Sequence, residues 1–174
     1  MRLVASCGSL SRVIELRVLT PDDWRLWREL RLAALGEAAY AFGSRLSDWQ
    51  GDGDREERWR ARLEIPGSCT IVAMLDGQPA GMASGVPDDE DGVPELISMW
   101  VSPAARGRGT GDQLMGAVEQ WAREEGAEAV KLAVTDGNEN AIALYRRSGF
   151  RDTGELGDLM PDGVRREKIM VKKL

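Results

Sequence analysis

The chain has 174 residues, of which 43% are hydrophobic and 30% charged, and its 23 basic and 29 acidic side chains leave a formal net charge of −6. This length fits one domain, and the acidic balance argues against a nucleic-acid-binding protein, which usually presents a basic face. The sequence contains no histidine. That absence removes the commonest general base and excludes nearly every catalytic zinc site, so no metal is expected.

Cysteine content and hydropathy bear on the compartment. Cys7 and Cys69 are too few for a disulfide framework or a zinc site, which favours a reducing cytoplasm. No apolar run approaches the ~20 residues that a membrane-spanning helix needs, so no membrane partner is expected. Residues 1–12 carry glycine and serine without a period and are predicted to be a disordered leader, whereas residues 13–174 are predicted to form a single domain.

The predicted elements begin with a strand at 13–19, a run rich in β-branched residues. A Thr-Pro pair at 20–21 then starts a helix whose apolar residues recur at helical spacing, and Gly36 is its predicted stop. A loop at 38–52 leads into a second, highly charged helix at 54–63.

A block of strands follows, and helices and strands then alternate. The remaining predicted elements are strands at 69–75, 78–86 and 95–101, a helix at 109–125, a strand at 129–134, a helix at 138–148, and strands at 150–155 and 166–171. Asp76-Gly77 is a two-residue hairpin signal within this block. The order predicts a mixed α/β fold with a central sheet of six to seven strands and four helices. Its first half should be antiparallel, and the later β-α-β segment should bring in parallel pairing.

A glycine-rich segment separates the strand at 95–101 from the helix at 109–125. It consists of Arg106, Gly107, Arg108, Gly109, Thr110 and Gly111. Glycines let the backbone approach a ligand closely, and the free N–H groups of a helix N-terminus bind anions. A P-loop would need a lysine after the last glycine, and a dinucleotide-binding turn would need G-x-G-x-x-G, so neither motif fits. The segment predicts either an anion site or a plain turn with solvated arginines.

The pattern Arg-x-x-Gly-x-Gly at 106–111 resembles the cofactor motif of the GCN5-related N-acetyltransferase (GNAT) superfamily. The preceding residues 99–103 resemble that family's fourth strand and the turn after it. Residues 138–150 resemble a second signature, N-x-x-A-x-x-L-Y-x-x-x-G-F. The stretch 30–44 resembles the acceptor-side region of many small bacterial members. Both motifs occur in the expected order, and the resemblance covers roughly residues 13–174.

The resemblance implies a sheet splayed between its fourth and fifth strands and the transfer of an acetyl group from acetyl-CoA to a primary amine. The acceptor would be a small-molecule or peptide amine, and small members of the family often pair into homodimers. The loop amides would hold the pyrophosphate of the cofactor, and a backbone N–H near Met99 would polarise the thioester carbonyl. The implied cofactor-binding residues are Met99, Trp100, Val101, Arg106, Gly107, Arg108, Gly109, Thr110, Gly111, Asn138, Asn140, Ala141 and Tyr145.

The chemistry of amine acetylation demands a proton acceptor, because an alkyl ammonium has a pKa of about 10.4 and only its neutral form attacks. Without histidine, the base must be a carboxylate, a tyrosinate or a relayed water. Glu95 is the candidate, at the position of the catalytic glutamate in the family's histone-acetylating branch. Even spacing puts Glu95 on one face with Met99 and Val101 in a regular strand, although a bulge would shift it. The alternative is a strand-end glutamate facing water.

Tyr145 occupies the family's acid position, where a phenol can hydrogen-bond or protonate the leaving thiolate. Its alternative role is packing on an amphipathic helix. The residues that could line an acceptor pocket are Tyr40, Phe42, Trp49 and Glu95. The acidic run 88–91 is either a solvated turn or an attractor for a cationic amine. A catalytically silent CoA-binding sensor on the same fold is the alternative function, and a generic nucleotide-phosphate binder is a third.

Overall fold

The computed structural model describes residues 13–174, and it contains one seven-stranded sheet in the order β1-β2-β3-β4-β5-β7-β6. The strands are β1 (Ile14–Val18), β2 (Cys69–Leu75), β3 (Gln78–Val86), β4 (Glu95–Val101), β5 (Ala129–Thr135), β6 (Arg151–Leu159) and β7 (Arg166–Lys173). The α-helices of this described part are α1 (Trp24–Glu37), α2 (Glu56–Leu63), α3 (Thr110–Glu124) and α4 (Glu139–Arg147). The predicted fold class and order of elements are confirmed, while the predicted leader lies outside the described residues.

Element ends differ slightly from the sequence prediction. Helix α1 runs through Gly36 to Glu37, because Gly36 keeps a helical backbone and does not enter the left-handed region. A short 3-10 turn at Pro21–Asp23 precedes the helix, with Thr20 as its cap. The predicted hairpin turn forms with both Asp76 and its following glycine at positive φ, as a two-residue turn of type I′ requires.

Strands β1 to β4 pair antiparallel, and β4 and β5 pair parallel. The parallel pairing comprises only two residue pairs, Glu95 with Lys131 and Leu96 with Leu132. Beyond Leu96 the two strands no longer pair, so the carboxyl-terminal half of β4 has a free edge on the β5 side. Strands β5, β7 and β6 then continue the sheet antiparallel. The antiparallel first half and the opening between the fourth and fifth strands are thereby confirmed.

A bulge reverses the alternation of side chains within β4. Ser84 of β3 lies opposite Ile97, and Met82 lies opposite Trp100, so Ala83 faces both Ser98 and Met99. Ser98 has a φ of 55°, which a non-glycine residue adopts only with strain. The prediction of a regular strand from even spacing is therefore wrong, because a bulge interrupts β4. Its consequence is that Glu95 lies on the opposite face of β4 from Met99 and Val101.

Each face of the sheet carries its own core. Helices α3 and α4 cover one face with Leu114, Val118 and Ile142, against strand residues such as Leu96 and Leu132. Helices α1 and α2 cover the other with the residues Trp27, Leu35, Trp59, Val72, Met82 and Trp100. Each large apolar side chain buried in this way contributes about 1.5–3 kcal/mol. Among the described residues, no helix is both long enough and apolar enough to cross a membrane.

Candidate active site

A cavity of about 320 Å³ lies beside the end of β4, past the point where β4 and β5 part. Four segments form its wall: the turn that follows α1, the end of β4, the glycine-rich loop with the start of α3, and α4 with its N-cap. The predicted site residues that line it are Tyr40, Phe42, Met99, Trp100, Val101, Arg106, Gly107, Gly109, Thr110, Gly111, Asn138, Asn140, Ala141 and Tyr145. Arg108, Trp49 and Glu95 do not line it.

The glycine-rich loop turns the backbone sharply into α3. Gly107 and Gly109 have φ values of 71° and 80°, a left-handed conformation that favours glycine. The first N–H groups of α3 have no acceptor within the helix, and the N–H of Gln113 is bonded back to the carbonyl of Gly109. A Cβ at Gly111 would lie 3.4 Å from the Met99 methyl, so a larger side chain there would enter the cavity. The loop thus offers unpaired donors and open space to an anion.

Arginines add positive charge around this loop. Arg106 donates through Nε to the carbonyl of Val101 at 3.0 Å and through Nη2 to Glu37 at 2.8 Å. Arg108 is exposed and donates to the carbonyl of Ala104 at 3.1 Å. Arg147 lines the cavity from α4. Amide donors, guanidinium groups and the free edge of β4 are the groups that a phosphorylated cofactor with an extended arm needs, so the residues present fit coenzyme A.

Glu37 is a site residue that the sequence analysis missed. Its carboxylate accepts hydrogen bonds from Arg106 and from Trp100 Nε1, the latter at 2.9 Å, and these bonds hold its pKa below the usual range. On the other side of the opening, Thr135 Oγ1 donates to the carbonyl of Tyr40 at 3.1 Å. The segment 38–42 is therefore fastened to β4 through Glu37 and to β5 through Thr135. No motif marks either residue, because both act through contacts far apart in sequence.

Tyr145 lies on the buried face of α4, with 8% of its surface exposed and its ring edge-on to Phe150. It lines the cavity, and no hydrogen bond joins its hydroxyl to a described residue. Burial raises the pKa of Tyr145 to about 12, so the phenol keeps its proton at neutral pH. The side chain therefore packs and also presents a proton donor to the cavity.

Glu95 is half-buried at the start of β4, on the face away from Met99. Burial raises the pKa of its carboxyl above the ordinary value, and the nearby Lys131 ammonium partly offsets this effect. Lys131 is its partner in the parallel pairing, and Lys131 Nζ is bonded to Asp88 and to Asp91, each at 2.6 Å. Two carboxylates of the acidic run thus hold the cation that faces Glu95, instead of lying free in solvent.

Trp49 is not brought to the cavity. The 3-10 turn Leu46–Trp49 directs the indole inward, where it is 7% exposed and lies 4.7 Å from the ring of Trp59. The guanidinium of Arg58 covers it at 3.7 Å from the ring centroid. Phe42 is also mostly buried, yet it lines the cavity as Tyr40 does. The aromatic loop residues therefore divide between the core and the cavity wall.

Other reactive groups lie apart from the cavity. Cys69 is free and partly buried on β2, and burial raises the pKa of its thiol, so it is a weak nucleophile at neutral pH. Within residues 13–174, no cluster of three or more His, Cys, Asp or Glu side chains is placed to hold a metal ion.

Comparison with known proteins links this geometry to one family. The model of the acetyltransferase (GNAT) family matches residues 27–150. An IAA acetyltransferase of Azospirillum brasilense is 37% identical over 92 residues, which are 53% of this chain and 60% of that protein. The chain thus spans less than two thirds of this curated relative.

Solved structures resemble most of the chain. A GCN5-related N-acetyltransferase from Kribbella flavida has a TM-score of 0.72 at 26% identity, over 92% of this chain and 98% of that one. A PaiA N-acetyltransferase from Thermoplasma acidophilum, solved with coenzyme A, has a TM-score of 0.71 over 93% and 99% of the two chains. Its identity is 19%, so this second likeness concerns the fold alone.

Proposed function

The chain belongs to the GNAT family of acetyltransferases, and from that premise we propose that it transfers the acetyl group of acetyl-CoA to a primary amine. One observation carries the proposal: a single cavity joins the anion-binding loop, the free edge of β4 and the protonated phenol of Tyr145. An anion site alone would suit many phosphorylated ligands. The combination suits a thioester cofactor, because the arm needs an extended backbone partner and the leaving thiolate needs a proton donor.

Acetyl-CoA supplies an acetyl group activated as a thioester. The N–H groups of the 107–111 loop and the guanidinium of Arg106 bind its phosphates. The free edge of β4 from Met99 to Val101 pairs with its arm as an added strand would, and a backbone N–H near Met99 polarises the carbonyl. Residues at the start of α4, Asn138, Asn140 and Ala141, flank the arm.

Proton transfer is divided between two residues on different sides of the opening. Tyr145 holds its proton and donates a hydrogen bond to the departing sulfur, and its raised pKa keeps that proton in place until negative charge develops. Glu95 lies outside the cavity wall, so it accepts the proton of the amine through a relayed water and not by direct contact. Its raised pKa suits a carboxylate to this work near neutral pH.

Release of free thiol from acetyl-CoA across a library of small-molecule and peptide amines tests the proposal. We expect turnover with at least one amine, and formation of its N-acetyl derivative by mass spectrometry. Tight binding of acetyl-CoA with no turnover over the whole library would favour the silent CoA-binding sensor. Competition by ATP as effective as that by coenzyme A would favour a generic phosphate binder. The cytoplasmic location and the homodimer stay predictions, as does the single acetyltransferase domain over 13–174.

A further inference from the structure

Arg31 is a buried cation that has no hydrogen-bonding or ion-pair partner among residues 13–174. It lies on the inner face of α1, is 7% exposed, and its Nη1 is buried with no hydrogen-bond acceptor. The guanidinium of Arg31 stacks on the ring of Phe42, whose centroid is 4.8 Å from the guanidinium carbon. Burial first, and the charge of Arg62 second, lower the pKa of Arg31 to about 10. The guanidinium is therefore still charged at neutral pH, in a place where its charge is poorly solvated.

The charged group that further lowers the pKa of Arg31, Arg62, is also positive. Arg62 on α2 is partly buried, and burial together with Arg58 lowers its pKa. Arg58 donates to the backbone carbonyl oxygens of Asp48 and Gly53 and covers the ring of Trp49. These partners are neutral, so they do not balance the positive charge of the three arginines. Within residues 13–174, no ion pair to a carboxylate is made by Arg31, Arg58 or Arg62.

Other arginines on the same helices behave differently. Arg28 on α1 pairs with Asp54, and Arg60 on α2 pairs with Glu56. Carboxylates thus pair with other arginines of α1 and α2, whereas no carboxylate of the described residues pairs with Arg31. Buried charges in proteins are normally paired and hydrogen-bonded, since an unpaired one destabilises the fold. A buried guanidinium kept without an acid partner indicates an anion that comes from outside the chain.

The position of Arg31 points to the acceptor and away from the cofactor. Arg31 itself does not line the cavity, but Phe42, on which it stacks, does, and so does Ala38, the residue that follows the end of α1. The glycine-rich loop has its own arginine at the cavity, Arg106, and Arg147 of α4 also lines the cavity. Because Arg31 Nη1 is covered in this structure, an anion reaches it only when a neighbouring side chain moves, and Phe42 is the side chain stacked on it.

We propose that the amine acceptor carries a carboxylate and that Arg31, assisted by Arg62, recognises this group beside Phe42. The inference rests on the proposed acetyltransferase function, since it names the class of its acceptor. An amino acid or a peptide with a carboxylate near its amine has this chemistry. A guanidinium suits the task because it presents parallel N–H donors to both carboxylate oxygens.

A thermal-shift experiment tests the arginines independently of turnover. Wild type, Arg31→Met, Arg62→Met and the control Arg25→Met, an exposed arginine on the same helix, are melted in succinate and in its neutral diamide at equal ionic strength. Succinate should raise the melting temperature of wild type and of Arg25→Met, and the diamide should not. Loss of the succinate effect in Arg31→Met supports the proposal, whereas an undiminished shift in both Arg31→Met and Arg62→Met overturns it. If Arg31→Met does not fold, two other results decide the proposal: the succinate shift of Arg62→Met, and the difference between succinate and the diamide in wild type.

A kinetic arm tests recognition of the acceptor. Thiol release is measured with α-amino acids and with their carboxamides, which keep the amine and lose the negative charge. We expect kcat/KM for the amino acids to fall about 30-fold in Arg31→Met, with little change for the carboxamides. Equal kcat/KM for acids and amides in wild type overturns the inference. If acetyl-CoA binds but neither series releases thiol, the proposed function fails. The melting-temperature shifts in succinate then still show whether Arg31 and Arg62 bind a carboxylate.

Discussion

The two sides of the splayed sheet build their parts of the site by different means. On the proposed cofactor side, backbone groups of the 106–111 loop and the start of α3 form the proposed anion site, and short motifs encode them. On the proposed acceptor side, side chains from α1, α2 and the loop between them meet through packing, and no short motif marks them. Backbone-built sites follow from local sequence, whereas side-chain-built sites depend on which residues the tertiary fold brings together.

The largest effect on stability should come from the acceptor side. Trp49→Ala removes a buried indole from its contact with Trp59, and we expect the free energy of unfolding to fall by about 3–5 kcal/mol. Tyr40→Ala, at a residue 50% exposed on the cavity wall, should change stability little and acceptor KM more. Urea denaturation measures the free energy of unfolding of the two variants, and steady-state kinetics measure their acceptor KM. Should Trp49→Ala unfold like wild type and lose acceptor affinity, Trp49 would belong to the pocket after all.

The cofactor side should lose function through one added side chain. Gly111→Leu fills space beside Met99, and we expect acetyl-CoA affinity to fall by about 10- to 100-fold. Gly116→Leu is the matched control, because Gly116 lies on the same helix and a Cβ there meets nothing within 4 Å. Isothermal titration with acetyl-CoA measures the difference. Equal affinities in the two variants would remove the loop from the cofactor site.

Tyr145→Phe separates packing from proton donation. The ring stays against Phe150, so stability and acetyl-CoA affinity should hold. We expect kcat to fall by about 100-fold, the usual contribution of a positioned acid. Steady-state kinetics with the best amine of the library give the two constants. A variant with unchanged kcat would leave Tyr145 with a packing role alone.

The smallest expected effect is on the pH dependence of activity, and it concerns Glu95 and the neighbouring Lys131, which Asp88 and Asp91 hold in place. Glu95 must be ionised to accept a proton, so kcat/KM should rise with pH through its raised pKa. Lys131→Met removes the cation that lowers this pKa, so the rising limb should move to higher pH. Glu95→Gln should abolish that limb and leave activity only where the amine itself is neutral. A pH profile that is the same in all three proteins would show that Glu95 takes no part.

Much of the fold could be read from periodicity and turn chemistry. The hairpin at Asp76-Gly77 and the α3 start at the glycine loop needed only neighbouring residues. The placement of Glu95 could not be read, because a bulge at Ser98 reverses which side chains of β4 share a face. The strain at Ser98 has no local sequence signal and persists because β3 pairs with β4 on both sides of it.

The sequence by itself determined the order of elements, the glycine-rich turn into α3 and the family signatures, since each depends on residues close together in the chain, and it predicted Tyr145 as the proton donor. Tertiary structure alone decided that Trp49 is core, that Glu37 and Thr135 fasten the segment 38–42 across the opening, and that Arg31 is buried with no carboxylate partner among the described residues. The physical reason is distance along the chain. Burial and ion pairing depend on which distant segment packs against a side chain, and local sequence patterns do not identify that segment.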